Sequence, residues 1–227
     1  RYSKHGCNRS NVPKTNTKTC QKIWQKNEIL INMKQIQQGA EATIYQDKDK
    51  ITKLRTSKSY RLPILDNKLR KSRTKAEAKI INKLQSIIPV PKILETDNQQ
   101  TIEMEFIDGK KLSEHLEQLD WKSICKKLAE NLTKLHNQDL IHGDLTTSNM
   151  IFKDNLVYLI DFGLGFHSHK IEDKAVDLHL LKQALDAKHF SIFPEAFNII
   201  LKNYKAQQYD LIIKRIGTIE KRGRYRH

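Results

Sequence analysis

The stretch IHGDLTTSNM, residues 141–150, sets Asp144 and Asn149 five positions apart, after an apolar helix-like segment and before a strand-like run. Asp and Asn bond nearby backbone and tolerate tight bends, so either residue alone reads as part of a turn. Asp161 changes that reading: it closes the apolar run Val157–Ile160 in LIDFG and supplies a second carboxylate. Carboxylate and amide oxygens suit Mg²⁺, which binds through one or two carboxylates together with substrate phosphates. Asn149 and Asp161 can supply such ligands, and Asp144 is then placed to accept a proton from a hydroxyl or to orient water. Transfer of a γ-phosphoryl group also needs a cation on the phosphates. Lys53, central to the short run ITKLR, is the candidate, and Glu77 in the next helix-like segment offers it a partner.

The elements that must carry these residues follow from pattern. KQIQQGAEATIYQ through KITKL alternates around Ile44 and Ile51, which predicts strands joined by a turn. SRTKAEAKIINKLQ reads as a helix with Ala76, Ile80, Ile81 and Leu84 on one stripe, ended by the prolines of IPVPKIL, and TIEMEFI reads as a strand. Between Lys53 and that helix, SKSYRLPILDNKLRKSRTK is longer than a plain connection requires, and Pro63 predicts an irregular segment. The chain turns at Asp108 and Gly109 and becomes helical. Residues 120–136 start with Asp120 as N-cap and set Trp121, Ile124, Leu128, Leu132 and Leu135 on one face. NMIF and VYLI, joined by KDNL, predict a hairpin, with helices after it. This is an α+β chain: a strand-rich N-lobe over residues 33–107 and a helical C-lobe over 108–227. Residues 1–32, rich in Asn, Lys, Thr and Ser and without an initiating Met, read as a linker, a tag or an upstream remnant.

Composition narrows the class. Among 227 residues, 41 Lys+Arg against 26 Asp+Glu give a net charge of +15, which implies a polyanionic partner or substrate. The basic stretch containing Lys68, Arg70 and Lys71, and the tail with Arg222, Arg224, Tyr225 and Arg226, are the candidate contacts to RNA or a partner protein. Cys7, Cys20 and Cys125 are odd in number and form no C-x-x-C pair, so neither a disulfide framework nor a zinc site is indicated by cysteine. No apolar run approaches the ~18 to 20 residues of a membrane span, so the expectation is a cytoplasmic protein with no membrane partner.

HGDLTTSN, LIDFG, the Lys53 and Glu77 pair and the hinge-like MEFIDG resemble the protein-kinase motif set. More narrowly, QGAEA, SKSYRLPILD, RTKAEA, HGDLTTSN and RGRYR, spread over residues 34–227, resemble the small atypical kinase subunit of the KEOPS complex, a RIO-like branch of the protein-kinase superfamily. KEOPS is the assembly that puts threonylcarbamoyl on adenosine in tRNA. The resemblance implies a bilobal protein-kinase-like fold with a reduced C-lobe, and serine/threonine kinase or ATPase activity with ATP and Mg²⁺. As partners it implies the threonylcarbamoyl-transferase subunit, the other KEOPS subunits and tRNA. Gly39 would belong to the phosphate loop, Lys53 would contact ATP phosphates and pair with Glu77, Asp144 would be the catalytic-loop aspartate, and Asn149 and Asp161 would bind Mg²⁺. In the hinge, the Glu105 carbonyl and the Ile107 N–H would meet adenine, with Met104 at the back of the pocket. Asp177 resembles the buried aspartate that holds the catalytic loop from below, and His142 would hold it too.

The departures bear on substrate. QGAEA keeps only Gly39 of a glycine-rich loop, Gly143 stands where ordinary protein kinases have Arg, and LGFHSHKIEDKAVDL leaves no room for an activation loop. Peptide phosphorylation is thereby set against ATP hydrolysis coupled to a partner. A small-molecule phosphotransferase of the aminoglycoside or choline type shares H-G-D-x-x-x-x-N, but a chain of charge +15 is a poor host for cationic sugars. A catalytically dead RNA-binding scaffold is the third reading, opposed by the presence of all the key polar residues.

Overall fold

The computed structural model describes residues 33–39 and 41–223. Three strands, β1 (Lys34–Gln38), β2 (Thr43–Asp47) and β3 (Lys50–Leu54), lead to helix α1 (Pro63–Leu84), then β4 (Ile93–Thr96) and β5 (Thr101–Glu105). The five strands make one antiparallel sheet of order β1-β2-β3-β5-β4. In its register Lys53 stands opposite Ile44 on one side and Ile102 on the other. Paired residues share a face of a sheet, so Lys53 lies on the side where Ile102 and Met104 pack against Ala78 of α1.

The irregular segment expected around Pro63 is instead the first half of a 22-residue helix, with Pro63 in its first turn. A proline there costs nothing, because the first amide N–H groups of a helix have no partner within it and the ring fixes a helical φ. Leu62 supplies extended backbone as N-cap without a side-chain bond, and Asp66 puts a carboxylate in the first turn, where the helix dipole favours it. The buried stripe also differs by one residue: Thr74, Glu77, Ala78, Ile81 and Leu84 face inward, while Ala76 is exposed.

Beyond β5 come β6 (Lys110–Lys111), α2 (Leu112–His115), a short 3₁₀ turn and α3 (Trp121–Asn137). Asp120 caps α3, accepting the Ser123 N–H at 3.2 Å, a bond of the kind worth about 1 kcal/mol. Strand β7 (Leu140–Ile141), the hairpin β8 (Met150–Lys153) and β9 (Leu156–Leu159), and β10 (Phe166–His167) follow. The expected hairpin pairs Met150 with Leu159 through Lys153 with Leu156. Helices α4 (Ile171–Lys188), α5 (Phe193–Asn203) and α6 (Tyr209–Gly223) complete the described chain. One apolar core joins the end of α1 (Ile80, Ile81, Leu84) to α3, α4, α5 and α6, and the face of α3 foreseen from periodicity lies within it, Trp121 at its margin. The fold is α+β in two lobes, and no helix among the described residues is long and apolar enough to cross a membrane. Residues 1–32 and, in the tail, Arg224, Tyr225 and Arg226 lie outside the described residues; Arg222 falls in the last turn of α6.

Candidate nucleotide and metal site

Lys53 is 5% exposed, and its ammonium reaches two carboxylates: Nζ donates to Glu77 Oε1 at 2.7 Å and to Asp161 Oδ1 at 2.6 Å. Burial pulls the Lys53 pKa down, but the charges of Glu77 and Asp161 outweigh it and hold the pKa above the ordinary lysine value. Glu77, 1% exposed, uses its second oxygen to accept from Arg55 Nη2 at 2.6 Å. Sequence reasoning missed Arg55, although period-two alternation puts it on the same face of the chain as Lys53, and that was the available signal.

Asp161 adopts a φ of 63°, a left-handed conformation that Asp tolerates, and its Oδ1 also accepts the Gly163 N–H at 3.1 Å. Its side chain is half exposed. Burial acts to raise its pKa, yet the Lys53 charge and the hydrogen bonds from Lys53 and Gly163 hold it below the ordinary value, so the carboxylate is anionic at neutral pH.

Strand β7 delivers His142, Gly143 and Asp144 into the same cleft. The Asp177 carboxylate, rising from α4, accepts the His142 N–H at 2.7 Å and the Gly143 N–H at 2.9 Å. His142 is fully buried, and burial depresses its pKa, which leaves a neutral ring at pH 7. Its partners choose the tautomer: Nε2 donates to the Ile160 carbonyl at 3.1 Å, and Nδ1 accepts the Asp144 N–H at 3.3 Å. One imidazole thus ties the backbone of Asp144 to the residue preceding Asp161. The Asn149 amide nitrogen donates to Asp144 O and Oδ2, both at 2.9 Å, so its carbonyl oxygen is the atom suited to a cation.

Two adjoining cavities meet at Lys53 and Asp161. One, of about 200 Å³, is lined by apolar Ile44, Ile51, Met104, Ile107, Ile151 and Ile160 together with Glu105, Asn149 and Glu77. The other, of about 230 Å³, has the charged side chains Glu41, Arg55, Arg73 and Asp144 in its wall, with Gly39 and Gly163. Glu41 is gripped by Arg61 Nη2 at 2.9 Å and by Arg73 Nη1 at 2.7 Å, which fastens the Gly39 loop to α1. That clamp links residues far apart in sequence and left no local signal. Of the other sequence candidates, Lys68, Arg70 and Lys71 do not line these cavities. Lys68 and Lys71 are exposed on α1, whereas Arg70 is half-buried and engaged with Asp66 at 2.8 Å and with Gln100.

Residues 42–172 match the family model of the RIO domain. The KEOPS complex subunit Bud32 of Pyrococcus abyssi is 41% identical over 86% of this chain and 97% of its own length. A probable bifunctional tRNA threonylcarbamoyladenosine biosynthesis protein of Methanobrevibacter smithii is 40% identical over 85% of this chain, which spans 37% of that protein. In shape the chain is similar to the streptomycin-ATP-APH(2")-IIa ternary complex, with a TM-score of 0.60 and 12% identity over 92% of this chain and 88% of that one. This likeness concerns the fold, which is bilobal and kinase-like. The chain belongs to the RIO domain family and, within it, to the family of the KEOPS complex subunit Bud32.

Proposed function

We propose that the chain is an ATP-dependent phosphotransferase and ATPase that works within KEOPS in the threonylcarbamoyladenosine modification of tRNA. The observation that carries this reading is the single cleft in which Lys53 joins Glu77 to Asp161 while Asn149 is bonded to Asp144. The apolar cavity, lined by Met104, Glu105 and Ile107 among others, suits adenine, which the Glu105 carbonyl and the Ile107 N–H would meet with Met104 behind it; the cavity with charged side chains in its wall suits phosphates. The donor set fits Mg²⁺: one carboxylate (Asp161) and one amide oxygen (Asn149), both hard ligands. Mg²⁺, when bound, would neutralise charge that develops on the phosphates. Lys53, kept protonated and aimed by Glu77, would hold the phosphate oxygens, with Arg55 behind it. Asp144, steadied by Asn149 and His142, would accept the proton of a serine or threonine hydroxyl or orient water. The charge of +15 and the relatives' names support tRNA and the other KEOPS subunits, the threonylcarbamoyl-transferase among them, as partners.

The test is ATP turnover by the chain alone, with tRNA, and with the assembled complex, in wild type and Asp161→Asn. The expected result is turnover that rises with partners and falls at least about a hundredfold in the variant. Equal turnover in both proteins at saturating Mg²⁺ refutes the assignment. Phosphate appearing on protein hydroxyls, rather than free in solution, would identify kinase activity.

A further inference from the structure

Asp139 immediately precedes β7, and β10 ends at His167; the two strands pair antiparallel with His167 opposite Leu140. Past the ladder, Ser168 N–H donates to the Asp139 carbonyl at 2.8 Å, so the HSH stretch is held across Asp139. His167 and His169 are both exposed, whereas Ser168 between them is buried. The imidazole centroids stand 4.8 Å apart at 75°, and His169 Nδ1 is 2.7 Å from Asp139 Oδ2. One ligand atom from each of Asp139, His167 and His169 can be chosen so that all three lie within 4.8 Å of one another. Among the described residues this is the one such group of three His, Cys, Asp or Glu side chains.

A surface ion pair between His169 and Asp139 would account for two of these residues and would be worth little. It does not account for His167, a ring nitrogen of which lies within 4.8 Å of the ligand atoms of the other two. Two imidazoles and a carboxylate with room for water form a ligand set that Zn²⁺ takes. Ligands about 2.0–2.1 Å from a tetrahedral ion stand about 3.3 Å from one another, within the 4.8 Å that bounds these atoms, and both rings are exposed and so have room to turn toward an ion. The carboxylate is already oriented: Lys174, with its side chain 4% exposed, donates to its other oxygen at 2.7 Å. Its positive charge tempers affinity for a dication, but it is neutralised through the oxygen turned away from His169. Nitrogen donors separate this site from the oxygen-lined pair Asn149 and Asp161, which suits Mg²⁺.

We propose that Asp139, His167 and His169 form a Zn²⁺ site, with water in the fourth position, that clamps β7 to β10. The clamp would join the strand that runs into the Asp144 loop to the strand that follows the Asp161 loop. Zn²⁺ itself is the probe, titrated calorimetrically into the full chain without nucleotide, because ATP would compete for the ion. Binding of Zn²⁺ is expected in wild type, weakened at least tenfold in His167→Ala and in His169→Ala, and reduced further in the double variant. Melting temperature without metal and ATP turnover in Mg²⁺ should be unchanged in the variants, since both rings are exposed and outside the cleft. Co²⁺ in place of Zn²⁺ should give visible absorption bands in wild type that the double variant lacks. Cysteines and histidines elsewhere can also bind zinc, so the variants decide. Zn²⁺ affinity unchanged in the double variant, or wild-type binding weaker than about 0.1 mM, overturns the proposal.

Discussion

Glu77 answers two cations with one carboxylate, Lys53 on Oε1 and Arg55 on Oε2. In Glu77→Gln both cations stay buried with Asp161 as the remaining anion in contact with Lys53, so stability should fall by about 3 kcal/mol or more along with turnover. Asp161→Asn differs, because its side chain is half exposed and Lys53 keeps Glu77: turnover should be lost while the melting temperature moves little. Melting curves and ATP turnover of the two variants check this, and equal melting temperatures would contradict it. The convergence of Lys53, Glu77, Asp144, Asn149 and Asp161 was legible because Asp144 and Asn149 share one short motif, and the chemistry of phosphoryl transfer, with the resemblance to the protein-kinase motif set, calls for the other three. Glu41, Arg61 and Arg73 were not, since each acquires its place only by pairing across a fold that no local pattern announces, and Arg55 was signalled only by its alternation with Lys53.

Helix α1 illustrates the same limit for an element. Its first half carries Ile64, Leu65 and Leu69 on exposed surface, and inward residues become regular only from Thr74. Without an apolar stripe, the proline and the basic run predict irregular chain. Helix α3 and the β8–β9 hairpin were legible because a capping Asp and a strict period sit within their own residues. The structure also separates the three basic residues of α1. Replacing exposed Lys68 and Lys71 by Ser should leave melting unchanged, weaken tRNA binding and lower the slope of affinity against salt by about 2. Arg70→Ala should instead lower the melting temperature, because Arg70 partners buried Asp66. Binding measured over a salt series, beside thermal melts, checks the division; unaltered affinity in the double lysine variant would return that face to plain solvated surface.

For the whole molecule, acid is the informative stress. Burial acts to raise the Asp177 pKa, but the hydrogen bond and charge of His136 and the His142 amide overcome it and hold it below the usual range. That contribution to stability is complete above the unfolded value near 3.9 and is lost as pH falls through the lower folded value. His142 and His189 are depressed chiefly by burial. Below the unfolded histidine value near 6.5 the unfolded chain takes up protons that these rings refuse, so stability falls by up to about 1.4 kcal/mol per pH unit for each ring. Melting temperature should therefore be level from pH 8 to 7, decline from about pH 6.5 and steepen below about pH 4; a level profile from pH 7 to 5 would contradict the histidine part. At the other end of the chain, Ile212 and Ile216 of α6 lie in the core. Ending the chain after Gly223 should leave melting and nucleotide affinity unchanged while lowering tRNA-stimulated turnover, whereas Ile212→Ala should cost about 3 kcal/mol. Thermal melts, nucleotide titration and reconstituted tRNA modification distinguish these outcomes. Finally, Gly143 has a φ of +79°, and a Cβ there would stand 2.3 Å from the Leu164 carbonyl oxygen. Arginine, the residue ordinary protein kinases carry at that place, therefore does not fit the loop as it is folded, although one substitution reaches it. An arginine that reads a phosphorylated loop would thus need a second, coupled change that parts Leu164 from the catalytic loop, so the close fit of these two loops stands against that form of control.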